Sequence, residues 1–265
     1  MRILDAVKTY DVSNVGYAKV CNADLLLATD PDCDRVGIAV KNKAVEYELL
    51  TGNQTGMLLD YNCSQRVKHG KMPADPVMVK TIVTMDMGEQ IGKLEKQGKK
   101  DSYEESCGYL TGSYVRNKDG VDGAYMICEM FSYYATKGIS LLDELYKAYG
   151  YCLNNLHNYE FDGSAGFAKM QNIMQAFRGA IKVFGGKKVV KLLDYAPGLD
   201  GLPKSDVLKS LLEDNGSLVV RSSDTESKLK NYISVSAENK EAEKVETRQK
   251  SLKRQKNGLI NTATE

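Results

Sequence analysis

The chain has 265 residues, enough for two modest domains or one large one with genuine cores. With 42% hydrophobic and 27% charged residues it falls outside the membrane, collagen-like and disordered classes. Lys and Arg number 36 against 35 Asp and Glu, so the net charge of +1 points to no nucleic acid and no membrane surface, and the one dense basic stretch, 250–256, reads as a solvated tail.

The first strand signal is the apolar run 23–29, followed after 30–35 by a second run at 36–40, giving strand, acidic loop, strand. At 49–59 an apolar helical stretch follows Thr51 or Asn53 as N-cap, and 76–84 is β-branched and strand-like. Residues 122–134 place Ala124, Ile127, Cys128 and Phe131 at helical spacing, and 140–149 repeats the pattern behind Ser140. This alternation predicts an α/β layer architecture. From 159 onward the texture changes to a strand at 159–161, a helix over 168–177 and strands at 189–195, 218–220 and 232–235, with a helix expected at 205–212. Met170 and Met174, at i and i+4, read as core filling rather than a ligand box. A second, α+β domain is therefore expected from about Asn154, and the charged 238–256 stretch as one solvated helix.

His69 and His157 are the only histidines, so carboxylates, Lys, Arg and Ser must carry any chemistry. Six cysteines without a Cys-x-x-Cys pair write neither a zinc ribbon nor a thioredoxin motif. The N-terminus reaches charge at Arg2 and Asp5, too soon for a signal peptide, and no window approaches the roughly 18 apolar residues of a membrane span. A cytoplasmic location is expected by default.

The sharpest motif is Asp30-Pro31-Asp32-Cys33-Asp34-Arg35. In an extended loop, side chains at i, i+2 and i+4 point the same way, so three hard oxygen ligands converge on a site suited to Mg²⁺. An EF-hand loop also begins Asp-x-Asp-x-Asp, but its sixth position should be Gly and is Arg35, and its twelfth should be Glu and is Lys41. An aspartyl-nucleophile phosphatase of the haloacid-dehalogenase type wants Thr or Val where Asp34 stands. That substitution disfavours the phosphatase and leaves it as an alternative.

The stretch from Ala23 to Gly37 resembles the metal-binding loop of the α-D-phosphohexomutases, and the neighbouring text agrees in order. Leu50-Thr51-Gly52-Asn53-Gln54, Val79-Lys80-Thr81, Glu104-Glu105-Ser106-Cys107-Gly108-Tyr109, Arg116-Asn117-Lys118-Asp119-Gly120 and Gly201-Leu202-Pro203-Lys204-Ser205 all resemble that family, closest to its phosphoglucomutase and phosphopentomutase-like branch. The resemblance implies partial phosphohexomutase-type α/β domains with mixed sheets, followed by a smaller α+β C-terminal domain. Residues 1–45 would be a partial second domain with the metal loop, 46–153 a shortened third domain for sugar recognition, 154–250 a phosphate-binding domain and 251–265 a tail.

It implies an isomerase that moves a phosphoryl group between the 1 and 6 positions of a sugar phosphate through a phosphoserine and Mg²⁺. Asp30, Asp32 and Asp34 would hold the metal, with Arg35 beside the transferring group. Glu104, Ser106 and Lys118 would contact the sugar, and Arg221, Ser223 and Thr225 the non-reacting phosphate. The cradle Arg221-Ser222-Ser223-Asp224-Thr225 departs from the family's pattern at Asp224, normally Gly. A carboxylate beside a dianion costs about 4 kcal/mol per charge pair at about 4 Å and an effective dielectric of about 20, before screening. The family's Thr-Ala-Ser-His-Asn-Pro phosphoserine motif is not among the 265 residues, and segments are missing near 10–18 and 87–88. The chain is therefore expected to be a truncated mutase, inactive alone, whose partner would be the missing phosphoserine segment. A non-catalytic sugar-phosphate binding fragment is the alternative.

Overall fold

The computed structural model describes residues 18–41, 46–70, 78–85, 101–103, 106–111, 117–140, 143, 146–147, 150–179, 181–199, 201–223 and 228–237. The chain divides into two compact units, Met1–Tyr149 and Gly150–Glu265.

In the first unit β1 (Leu25–Thr29), β2 (Val36–Lys41) and β3 (Tyr47–Leu50) form an antiparallel sheet in that order. Thr29 pairs with Val36, so 30–35 is the connection of a hairpin. Helix α1 (Gly52–Lys68) starts with a capping box: the Gln54 amide donates to Thr51 Oγ1 at 3.2 Å, and the Thr51 amide donates to Gln54 Oε1 at 2.9 Å. Thr51, not Asn53, is therefore the cap, and Leu49 and Leu50 close β3.

Strands β4 (Met78–Lys80), β5 (Asp101–Tyr103) and β6 (Tyr109–Thr111) make a mixed sheet, parallel for the first pair and antiparallel for the second. Helix α2 (Gly120–Thr136) buries Gly120, Gly123, Ile127, Met130 and Tyr134, the three-and-four spacing of one helical stripe. A Cβ at Gly123 would come within 3.1 Å of the Tyr109 ring and 3.2 Å of Val36. That close approach fixes α2 against β6 and β2.

Among its described residues the second unit has a six-stranded antiparallel sheet in the order β7-β12-β11-β10-β9-β8 and one long helix, α3 (Gly163–Arg178). Its strands are β7 (Tyr151–Glu160), β8 (Val183–Phe184), β9 (Lys187–Asp194), β10 (Val207–Leu212), β11 (Ser217–Ser222) and β12 (Lys228–Ala237). Met170, Ile173, Met174 and Phe177 from α3 meet Leu208, Leu218, Val220, Leu229 and Ile233 from the sheet in one buried cluster. Both methionines fill core, as their spacing predicts.

The helix expected at 205–212 is a strand. β10 pairs with β9 on one side and β11 on the other, and Val207, Leu208, Lys209 and Ser210 are all buried. A six-residue run covered on both faces has no alternation to distinguish it from a helix, and the two ladders decide. The strand expected at 159–161 is the end of a ten-residue one, β7, which begins at Tyr151. The expected 238–256 helix lies outside the described residues.

A Cβ at Gly166 would lie 2.7 Å from the Phe161 carbonyl carbon and 2.9 Å from Phe161 Cβ. Alanine gains at most about 1 kcal/mol of helix propensity, while overpacking against backbone costs about 1–3 kcal/mol. Gly166→Ala is therefore expected to lower the urea midpoint; an unchanged or raised midpoint would show that this contact relaxes freely.

Candidate metal and sugar-phosphate site

The acidic loop is built by the β1–β2 hairpin. Asp30 follows the last residue of β1 and is 8% exposed; its Oδ1 accepts the Arg35 amide at 3.1 Å, and its backbone carbonyl accepts the Cys33 amide at 3.0 Å. These bonds close a tight turn in which Cys33 takes φ +55, a left-handed conformation costing a side-chain residue about 1–2 kcal/mol. Compensation comes from α2: the Gly120 amide donates to the Cys33 carbonyl at 2.8 Å. Two further bonds hold the surroundings, from the Val36 amide to the Cys107 carbonyl at 3.0 Å and from the Val121 amide to the Asp119 N-cap carboxylate at 2.9 Å.

The result brings one carboxylate oxygen from each of Asp30, Asp32 and Asp34 within 4.8 Å of one another. Arg35 Nη1 lies 3.8 Å from Asp30 and its Nε 3.4 Å from Asp34, while Lys118 Nζ lies 3.1 Å from the other oxygen of Asp34. Three carboxylates against two cations leave a local balance of one negative charge. Burial, aided by the neighbouring Asp34, pushes the Asp30 carboxyl above the usual range despite the Arg35 amide. Burial acts on Asp34 in the same direction but is outweighed by the hydrogen bond from Lys118, the one shared with Asp30 and the Arg35 charge, so Asp34 sits below it. The two neighbouring carboxyls are thus driven in opposite directions.

Asp34 Oδ1 is buried, and the cation beside it is Arg35 Nε at 3.4 Å, too long and poorly aligned for a hydrogen bond. A buried carboxylate oxygen held only by a long ion pair, beside two further carboxylates, is a donor set suited to a hard dication, so these residues fit Mg²⁺.

Among the other expected site residues, Lys118 joins the acidic loop through Asp34, and Ser106 stands next to Cys107, whose carbonyl holds Val36. Glu104 and Thr225 lie outside the described residues, as do Arg116 and Asp224. In the second unit Arg221 pairs with Lys230 across β11 and β12, and the Ser223 amide donates to the Lys228 carbonyl at 2.9 Å, closing the hairpin base from which the expected phosphate cradle springs. The contacts that sequence reasoning missed are Gly120 and the Asp119 cap. The signal was present in Asp119-Gly120, an N-cap residue followed by the start of a helix.

Geometry defines a class: an α/β protein with three converging carboxylates in a hairpin loop, braced by a glycine at a helix start. Comparison with known proteins narrows it. The phosphoglucomutase of Staphylococcus epidermidis RP62A is 28% identical over 269 residues, covering 87% of this chain and 48% of its own length. That of Staphylococcus aureus MSSA476 is 29% identical over 263 residues, covering 85% and 47%. The crystal structure of pp63/parafusin, a Paramecium phosphoglucomutase in open form, superposes with a TM-score of 0.68 at 16% identity over 91% of this chain and 45% of that one. No protein-family model matches. The chain is thus similar to phosphoglucomutases in sequence and shares their fold, and it spans about half the length of the curated relatives it matches. Among the described residues no helix is long and apolar enough to cross a membrane.

Proposed function

We propose that this chain is the metal-loop, sugar-recognition and phosphate-binding part of a phosphoglucomutase-like mutase interconverting sugar 1-phosphates and 6-phosphates. The observation that carries the reading is the convergence of Asp30, Asp32 and Asp34 within 4.8 Å beside Arg35 and Lys118. Phosphoryl transfer asks for positioning and charge neutralisation rather than a histidine base, and this loop is equipped for both. Asp30, Asp32 and Asp34 would hold Mg²⁺, which when bound supplies neutralisation of the charge on phosphoryl oxygens. The Arg35 guanidinium would sit beside the transferring group and offer planar donors to its oxygens. Lys118 would leave Asp34 for a substrate hydroxyl or phosphate, with Glu104 and Ser106 binding the adjacent sugar hydroxyls.

Arg221, Ser223 and Thr225 would take the phosphate that does not react. The phosphoserine would come from a segment outside the 265 residues, so this chain by itself binds sugar phosphate without turning it over.

Amide chemical shifts during a Mg²⁺ titration test the proposal. Residues 30–35 and Lys118 are expected to move together, with an affinity on the order of millimolar because an open carboxylate site leaves the ion several waters. Asp32→Asn should weaken that response. Unchanged shifts in this segment at tens of millimolar metal, roughly tenfold above that affinity, would reject the metal site. Interconversion of glucose 1-phosphate and glucose 6-phosphate by the purified chain, abolished by Asp32→Asn, would reject the requirement for an outside phosphoserine.

A further inference from the structure

On the helix-facing side of the second unit's sheet, a chain of polar contacts runs through four elements. Asp194, at the end of β9, accepts the Ala196 amide on Oδ1 at 2.9 Å and Arg178 Nε on Oδ2 at 3.0 Å. Arg178 is the last residue of α3, and its Nη2 donates to Asp206 Oδ1, just before β10. The other Asp206 oxygen accepts the hydroxyl of Ser222, the last residue of β11, and the Asp206 carbonyl accepts the Ser222 amide at 3.3 Å. Ser222 is therefore tied to the start of β10 by main chain and side chain together, and it is 4% exposed. The Arg178 fork joins Asp206 to Asp194, a geometry a point-charge ammonium cannot reproduce.

This network lies next to the candidate phosphate cradle. Ser222 is flanked by Arg221 and Ser223, and in a strand successive side chains alternate between faces. Leu218, Val220 and Ser222 face α3, so Arg221 projects from the opposite face. On the far side of the loop the Ser223 amide is bonded to Lys228. The Asp206 tether thus fixes one side of the loop base as the β11–β12 ladder fixes the other.

We infer that Asp206 and Arg178 are positioning residues for sugar-phosphate binding, acting through Ser222 to hold Arg221 and Ser223. The inference rests on the phosphate-site reading and extends it to residues that touch no ligand.

Calorimetric titration of the full chain with glucose 1,6-bisphosphate tests it, alongside thermal unfolding and amide hydrogen exchange at 221–223 without ligand. Ser222→Ala and Asp206→Ala are each expected to weaken binding by about tenfold, the factor expected for one lost charge-assisted hydrogen bond, and to speed exchange at Ser223. Asp206→Asn keeps an oxygen for Ser222 and should fall between Asp206→Ala and the parent. Arg178→Lys should weaken binding less than Asp206→Ala. Should Asp206→Ala fail to fold, Ser222→Ala, which removes one hydroxyl, carries the test. Binding that Arg221→Ala weakens but Ser222→Ala and Asp206→Asn leave unchanged would overturn the positioning role alone. No binding by the parent chain would overturn the phosphate-site reading and the positioning role with it.

Discussion

Gly120→Ala is expected to reduce Mg²⁺ affinity by about 10–100-fold, the range found when a residue supporting metal ligands is lost. A Cβ at this position would lie 2.8 Å from the Cys33 carbonyl oxygen and 2.9 Å from that of Arg35. Both are backbone atoms within the acidic loop and cannot swing aside as a side-chain end does. Retreat is also blocked, because the Gly120 amide donates to the same Cys33 oxygen at 2.8 Å. The alanine must push the loop off the start of α2, releasing the bond that sustains the positive φ of Cys33 between Asp32 and Asp34. Helix propensity works the other way by at most about 1 kcal/mol, less than the roughly 1–3 kcal/mol that overpacking costs. The same Mg²⁺ titration checks the outcome, with Val121→Ala, at a position 67% exposed, as the neutral neighbour. Equal affinity in Gly120→Ala and the parent would show that the loop does not depend on α2.

The chemistry of this loop was legible because it is local. Asp30, Asp32 and Asp34 lie within five residues at the exit of an apolar run, and the hairpin keeps them together. Thr51 with Gln54 was legible for the same reason, as a cap and its partner three residues apart. What supports the loop was not. Gly120 reaches Cys33 across 87 positions, and in isolation it is one more glycine after an aspartate. β10 was misread as a helix because burial on both faces erases strand alternation. The first part of β7 was missed because Asn154, Asn155, His157 and Asn158 carry little β propensity, and its pairing with β12 overrides that deficit. The Arg178, Asp206 and Ser222 chain joins residues 16 to 28 positions apart, and the charges give no sign of it until α3 and the sheet are packed.

Ile173→Ala is expected to remove about 3 kcal/mol of stability, within the roughly 2–5 kcal/mol span of such truncations. Ile173 is fully buried on α3, with Met170, Met174 and Phe177 beside it on the helix and Leu218, Val220, Leu229 and Ile233 in the same cluster from the sheet. Two neighbouring methionines can move into part of the vacated space, which keeps the loss below the upper end of that range. The sign is informative, because Ala is the better helix former by a few tenths of a kcal/mol and would raise stability if the helix stood on its own propensity. Phe167→Ala on the same helix, at a side chain 50% exposed, should change stability by no more than about 0.5 kcal/mol. Urea unfolding distinguishes the cases: Ile173→Ala should lower the midpoint with the slope unchanged, Phe167→Ala should move neither. The cluster also supports β11 and β12, whose ends carry Arg221 and Ser223. Sugar-phosphate binding by Ile173→Ala should therefore fail at a lower temperature than in the parent, and failure at the same temperature would mean that the cradle is held independently of this core.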